Sequence, residues 1–245
     1  MATTSKAKSA SPTPDVEKSR DDEHQHLLQT LPREESWISS SASMYLYQGF
    51  WCSARGLKPV ISFQRHFQAF DSDVMVASFP KCGTTWLKAL TFSTLYRDRF
   101  ARGQNPLLAS NPHQLVPFLE LNVYLNNPCP DLDNIFRLYK PRLFATHVSY
   151  ASLPTSIKDS KCKIVYICRN PLDTFISFWN FCNKLRDLSQ EPPLPLDEAF
   201  DKFCRGIYFS GPLFEHVLGY WKASRENPNK ILFLKYEDRK TSVVS

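Results

Sequence analysis

The amino-acid sequence predicts an α/β fold, a single domain with a central parallel sheet flanked by helices. Short apolar runs at 73–78, 143–147, 163–168 and 231–235 have the length of strands. They alternate with longer segments of helical spacing, the order that produces a parallel sheet with helices on both faces. The run Lys163-Ile164-Val165-Tyr166-Ile167-Cys168 is nearly unbroken in its apolar character, as suits a strand buried on both sides.

Composition limits what such a domain can be. A chain of 245 residues can bury a sizeable core, and 42% hydrophobic with 13% aromatic residues is globular. The net charge of +6 suits anionic small molecules, while no Lys/Arg run points to nucleic acid or a membrane surface. Seven scattered cysteines, an odd number, fit a reducing compartment better than a disulfide framework, and no C-x-x-C pair suggests a metal. No apolar run approaches the ~18 residues of a membrane span. The N-terminus also lacks the apolar stretch of a signal peptide. The expectation is a soluble cytoplasmic protein without a metal.

Taken in order, residues 1–26 are rich in Ser, Lys, Pro, Asp and Glu, and are expected to be a disordered tail ahead of a domain spanning 27–245. Glu17, Asp21, Asp22 and Glu23 argue against a transit peptide. The aromatic segment 45–51 suits edge packing, or a lid or substrate wall. A short helix is expected over 60–70, leading into the first strand. Helical spacing then returns over 84–97, with apolar residues at 86, 87, 90 and 95. The proline-studded excursion 101–141 is long for a plain connection. Its Asn111-Pro112-His113-Gln114 stretch with 116–120 suggests a helical turn, either lining a pocket or simply connecting. After the second strand a short helix is expected at 153–158. Asn170 as N-cap, Pro171 and Asp173 open a helix running to about 186. Further helices are expected over 197–204 and from Pro212 to Asn227-Pro228, the latter with Phe214, Val217, Leu218 and Trp221 as its apolar face.

The four strand exits carry the chemistry. After the first comes Ser78-Phe79-Pro80-Lys81-Cys82-Gly83-Thr84-Thr85-Trp86-Leu87-Lys88. A tight turn with one glycine before a helix start is suited to a phosphate, because the first N–H groups of a helix point outward at its positive end. Lys81 precedes the only glycine, which is not the nucleotide-triphosphate loop order. His147 follows the second strand and could serve as a general base, although a lone histidine there is more often structural. Arg169 at the third exit suits a phosphate or an ordinary ion pair. Ser177 lies one turn beyond Asp173. Trp86 could stack on a purine or pack in the core, and Tyr236 ends the fourth strand.

Together these stretches resemble the cytosolic sulfotransferases, the plant branch most closely. The matching residues run from Phe79 through Leu90, from Asn111-Pro112-His113 to Glu120, and through Phe144-Ala145-Thr146-His147. They continue from Cys162 to Trp179, with Phe203-Cys204-Arg205-Gly206, and from Tyr220-Trp221-Lys222 to Tyr236-Glu237-Asp238. The order is the family's, and nearly all of 27–238 is covered. The resemblance implies the sulfotransferase fold with a P-loop-like phosphosulfate-binding loop. It implies transfer of the sulfuryl group of 3′-phosphoadenosine-5′-phosphosulfate (PAPS) to a hydroxyl, without a metal.

By the same resemblance Lys81, Cys82, Gly83, Thr84 and Thr85 hold the phosphosulfate and Trp86 lies against the adenine. Arg169 and Ser177 hold the 3′-phosphate, Tyr236 helps fix the adenine, and His147 takes the acceptor proton. Lys81 also neutralises charge on the leaving oxygen. Cys82 stands where serine is common, and Ala145 where many animal members carry lysine. Acceptors in this branch include flavonoid, steroid-like, jasmonate-like and desulfo-glucosinolate hydroxyls. The apolar stretches 45–51 and 116–124 favour a compact, largely apolar one.

The family continues past the fourth strand with further helices and a late Arg-Lys-Gly segment that grips the 3′-phosphate, whereas here the match ends at Asp238. The expectation is a truncated chain with weak donor binding and poor turnover. Its rivals are a non-catalytic binding protein and, counted against by the Lys-before-Gly order, a nucleotide kinase.

Overall fold

The computed structural model describes residues 14–101 and 103–240. Two units are distinguished, Met1–Pro32 and Arg33–Ser245. In the first, helix α1 (Pro14–Thr30) occupies much of the stretch expected to be a disordered tail. Proline suits a first helical position, and no glycine or further proline interrupts the residues that follow. The part of that expected tail before residue 14 lies outside the described residues.

The second unit opens with a small antiparallel sheet, β1 (Arg33–Glu35), β2 (Ser43–Tyr47) and β3 (Phe50–Ser53), that the sequence reading missed. Gln48 and Gly49 both take positive φ, 49° and 83°, the two-residue turn that matches strand twist in a hairpin. The segment 45–51 is therefore a β-hairpin whose Phe50 and Trp51 are buried. Helix α2 (Ala54–His66) follows, capped by the Ser53 hydroxyl, which accepts from the Gly56 N–H. It starts and ends ahead of the expected 60–70, because Pro59 sits inside it and reads as a boundary in sequence.

The parallel sheet is built from β4 (Val74–Ser78), β5 (Leu143–Thr146), β6 (Lys163–Cys168) and β7 (Ile231–Lys235) in spatial order β5-β4-β6-β7, and all four are the expected strands. Between them run α3 (Thr84–Leu95), the short α4 (Pro112–Leu115) and α5 (Leu132–Ile135), α6 (Thr155–Asp159), α7 (Pro171–Leu188), α8 (Leu196–Cys204) and α9 (Leu213–Glu226). The excursion between α4 and α5 also contains one π-helical turn, Leu119–Val123. No helix among the described residues is long and apolar enough to cross a membrane.

The chain leaves β4 toward β5 through α3, and later leaves β6 in the opposite direction toward β7. With right-handed crossovers the two connections lie on opposite faces. Side chains bear this out: Val76 and Ile167 pack with Leu87 of α3, whereas Tyr166 stacks on Tyr220 of α9 at 4.2 Å between ring centres. The β4/β6 boundary is thus the point where a parallel sheet opens a crevice beyond its carboxyl edge. Register keeps the rim level, with Ala77 beside Thr146 and Ser78 beside Ile167.

Helix α9 reverses an expectation. Phe214, Leu218 and Trp221 are exposed, while Leu213, His216, Tyr220 and Ala223 are buried. Polar side chains occupy that inner face because each finds a partner. The Tyr220 hydroxyl donates to the Val148 carbonyl, and His216 bonds to both Tyr166 and the His147 carbonyl.

At the opposite end of the sheet Arg142 donates from Nε to Asp73 at 2.8 Å and also reaches the Gln68 carbonyl. Both charged groups are buried. Removing one partner of such a pair strands the other charge, which typically costs about 3–5 kcal/mol. Arg142→Met is therefore expected to lower unfolding free energy in urea by about that amount, while a change within ~0.5 kcal/mol would show the pair to be dispensable.

Candidate active site

The loop from β4 to α3 is shaped by two unusual backbone conformations. Lys81 and Gly83 take φ of 67° and 101°. At Gly83 the left-handed conformation needs glycine, and space demands it as well. A Cβ there would lie 2.5 Å from Tyr236 Cδ2 and 2.8 Å from Cε2. The bare turn brings the start of α3 to the crevice, where its first N–H groups have no partners within the helix. The Thr84 and Ser78 hydroxyls bond to each other at 2.6 Å, so Thr84 braces the turn against the strand. The Lys81 ammonium sits 4.7 Å over the Phe181 ring. Burial lowers its pKa, and Lys184 and Arg169 add to that shift.

His147 follows β5 and is held at three points. Its Nδ1 is 2.7 Å from the Ser78 carbonyl, which can only accept, so the proton is on Nδ1 and Nε2 carries the lone pair. Its own N–H donates to Glu120 Oε1 at 2.6 Å, and its carbonyl accepts from His216 Nε2 at 3.1 Å. Glu120 also accepts from the Thr146 hydroxyl, 2.9 Å away. Burial pushes the His147 pKa down to about 3, with Lys88, His216 and His113 adding to the effect against the Ser78 bond. His216, equally enclosed, is pushed down to about 4.

A second polar group adjoins it. Lys88, on α3, is fully buried, with Nζ 3.2 Å from the centre of the Phe118 ring and 3.0 Å from His113 Nδ1. The other ring nitrogen of His113 lies 2.9 Å from Thr85 Oγ1. Burial brings the Lys88 pKa down to about 7, opposed by Glu120.

Arg169, after β6, places its guanidinium 4.9 Å over the Tyr236 ring. One terminal nitrogen is 3.3 Å from Asp173 and another 3.5 Å from the Lys81 carbonyl. Among the described residues its Nε is buried without a hydrogen-bond partner. A buried charge-bearing donor left unpaired is costly unless an anion completes it.

Lys81, Gly83, Thr84, Thr85, Trp86, His147, Arg169, Ser177 and Tyr236 line one cleft of about 500 Å³. Cys82 does not. Its side chain is buried 3.6 Å from the Thr174 hydroxyl, and burial pushes its thiol up to about 12. Trp86, which sequence left between core and ligand, stands 37% exposed on the cleft. The segment 45–51 contributes no lining, but Phe118 and Leu121 from the 116–124 stretch do. Ile38, Phe178, Phe181 and Phe209 add to the apolar wall, and Ile38, Phe181 and Phe209 went unremarked in the sequence. His113 belongs to the turn that sequence left between pocket and connection, and it is on the lining.

The depressed histidines have a consequence for pH. Their folded-state pKa values lie below the ordinary value near 6.5, so the unfolded chain takes up protons first as pH falls. Stability conferred by neutral His147 and His216 is present above about pH 6.5 and is lost as pH falls toward 4. Proton NMR should find both rings still neutral at about pH 5 in the folded protein; a titration midpoint near 6.5 for His147 would contradict the enclosure described.

Comparison with known proteins identifies the family. Residues 71–244 match the sulfotransferase domain family model. Arabidopsis thaliana cytosolic sulfotransferase 15 is 47% identical over 240 residues, 94% of this chain and 65% of the relative. Cytosolic sulfotransferase 14 from the same plant is 48% identical over 227 residues, 90% of this chain and 64% of its own. A crystal structure of an Arabidopsis thaliana protein described as a candidate steroid sulphotransferase superposes with a TM-score of 0.79 at 44% identity, covering 92% of this chain and 76% of that one. Mouse sulfotransferase SULT7A1, solved in complex with PAP, gives 0.57 at 27% identity over 82% of this chain and 64% of its own. The chain thus spans about two thirds of the length of these curated plant relatives, and on sequence and structure together it belongs to the sulfotransferase family.

Proposed function

We propose that the cleft binds PAPS and that His147 removes the proton from an acceptor hydroxyl as the sulfuryl group is transferred to it. The observation that carries this reading is the imidazole. It is fixed with Nδ1 protonated and Nε2 available, and it shares one cleft with the Lys81 turn and Arg169. A neutral imidazole so oriented presents the Nε2 lone pair that a base needs, and a bound anion beside it would offset the neighbouring positive charge that helps hold its pKa down.

PAPS supplies, when bound, an electrophilic sulfur and a phosphate leaving group. The residues present fit such a polyanionic nucleotide: the Lys81 ammonium and the Arg169 guanidinium line the same cleft, and Arg169 Nε is a buried donor awaiting an acceptor. Lys81 and the N–H groups opening α3 would hold the phosphosulfate, with Thr84 and Thr85 beside them. Arg169 and Ser177 would take the 3′-phosphate, and Trp86 and Tyr236 the adenine. Cys82 contributes through the shape of the turn, since its thiol faces the core.

On the acceptor side Phe118 lies 4.5 Å from the His147 ring, centre to centre, and the surrounding wall is apolar. That apolar lining supports a small, largely apolar acceptor bearing the reacting hydroxyl. The cytosolic naming of the plant relatives supports the same compartment for this chain.

A labelled-sulfate transfer assay over hydroxylated plant metabolites, with calorimetry of PAP binding, tests the reading. His147→Ala should cut turnover about 10²–10⁴-fold, the usual worth of a positioned base, and leave PAP affinity within about twofold. A binding protein without catalysis would give no turnover to lose. Arg169→Ala should remove a charge-assisted bond worth about 1.5–3 kcal/mol and so weaken PAP roughly 10- to 150-fold. Unchanged PAP affinity in that variant would dissociate Arg169 from the phosphate.

A further inference from the structure

Lys88 lies in the matched segment, yet nothing in the proposed chemistry uses it, and its position is unusual. It is a fully buried lysine one helical turn from Thr84 and Thr85 on α3. As an ammonium it can only donate, so His113 Nδ1, 3.0 Å away, must accept. A neutral His113 then carries its proton on Nε2 and donates to Thr85 Oγ1, 2.9 Å away. That bond occupies an oxygen lone pair of Thr85 and leaves its O–H to donate elsewhere. With the opposite tautomer the Thr85 proton would be spent on His113. Burial and the neighbouring Lys88 and Lys81 lower the His113 pKa and favour the neutral ring that this relay needs. Phe118 closes the arrangement, lying under the Lys88 ammonium and stacked on His113 at 5.5 Å.

We propose that Lys88 and His113 are positioning residues that fix the tautomer of His113 and thereby make the Thr85 hydroxyl a donor to an anionic oxygen of the bound nucleotide. This rests on the reading of the cleft as a PAPS site. Neither side chain needs to touch the nucleotide: Lys88 acts through His113, and His113 acts through Thr85.

The test measures PAP binding by calorimetry at about one pH unit below the Lys88 pKa of about 7, where the ammonium form dominates. Lys88→Met, His113→Leu and Thr85→Val should each weaken PAP about tenfold, the lower end for a hydrogen bond to a charged group. Lys88→Gln and His113→Gln, which keep an N–H in place, should restore most of the affinity. Lys88→Met added to Thr85→Val should cost nothing further, because the relay ends at that hydroxyl. Nitrogen-15 NMR of the unaltered chain should find the His113 proton on Nε2, a readout that does not need nucleotide. Additive losses in the double variant, or a proton on Nδ1, would overturn the relay. PAP affinity indifferent to these substitutions would overturn the relay alone, leaving the nucleotide site standing. Failure of the unaltered chain to bind PAP would overturn both.

Discussion

The bond between the His147 ring and the Ser78 carbonyl joins two strand exits at the point where the site is assembled. Ser78 ends β4, immediately before the cationic turn, and His147 follows β5, the neighbouring strand. One hydrogen bond therefore sets both the tautomer of the imidazole and its distance from the turn. The parallel register makes the bond possible, since level strand ends place the two residues side by side. Glu120 and His216 then hold the backbone of His147 from opposite elements, one in the long excursion and one on α9. The excursion thus acts as a brace for His147 as well as a wall of the cleft.

Electrostatics in the cleft run against the protein when it stands alone. Lys81 and Arg169 face the same space, Lys184 lies near, and Asp173 is the carboxylate paired with Arg169. Like charges held close in partly desolvated surroundings repel, and an arriving anion relieves that repulsion. Burial lowers the Lys81 pKa, and the neighbouring cations Lys184 and Arg169 lower it further. A family member in which these groups converge gains donors already in position, at the expense of some stability in the unliganded protein.

Much of this was legible in the sequence because periodicity and end signals act locally. The four parallel strands, the Asn170-Pro171 helix start and the convergence of Lys81, His147, Arg169 and Tyr236 on one rim follow from strand exits and topology. What escaped the reading depends on partners distant in the chain. The apolar stripe of α9 pointed to Phe214, Leu218 and Trp221, yet His216 and Tyr220 went inward because Tyr166 and the 147–148 carbonyls satisfy them. Lys88 is buried in a helix whose pattern gives no hint of it, since its stabilising contacts come from Phe118, His113 and Glu120. The 45–51 hairpin was missed because its aromatic residues do not alternate cleanly with polar ones, and its turn signal, Gln48-Gly49, is a weak one. The family resemblance put Cys82 in the phosphosulfate loop; the left-handed residues on either side of it turn its thiol toward Thr174, which the sequence alone does not show.

The aromatic ring that covers Gly83 belongs to residue 236, after the last strand of the sheet. A ribosome makes the turn, its helix and all four strands of the sheet before it makes that cover. Throughout this interval the glycine has nothing lying over it, and the guanidinium at 169 has no ring beneath it. The turn at 81–83 follows the first strand of the sheet, yet the ring that closes over it is made only after the fourth, so the sheet must be in place before the cleft takes its final shape.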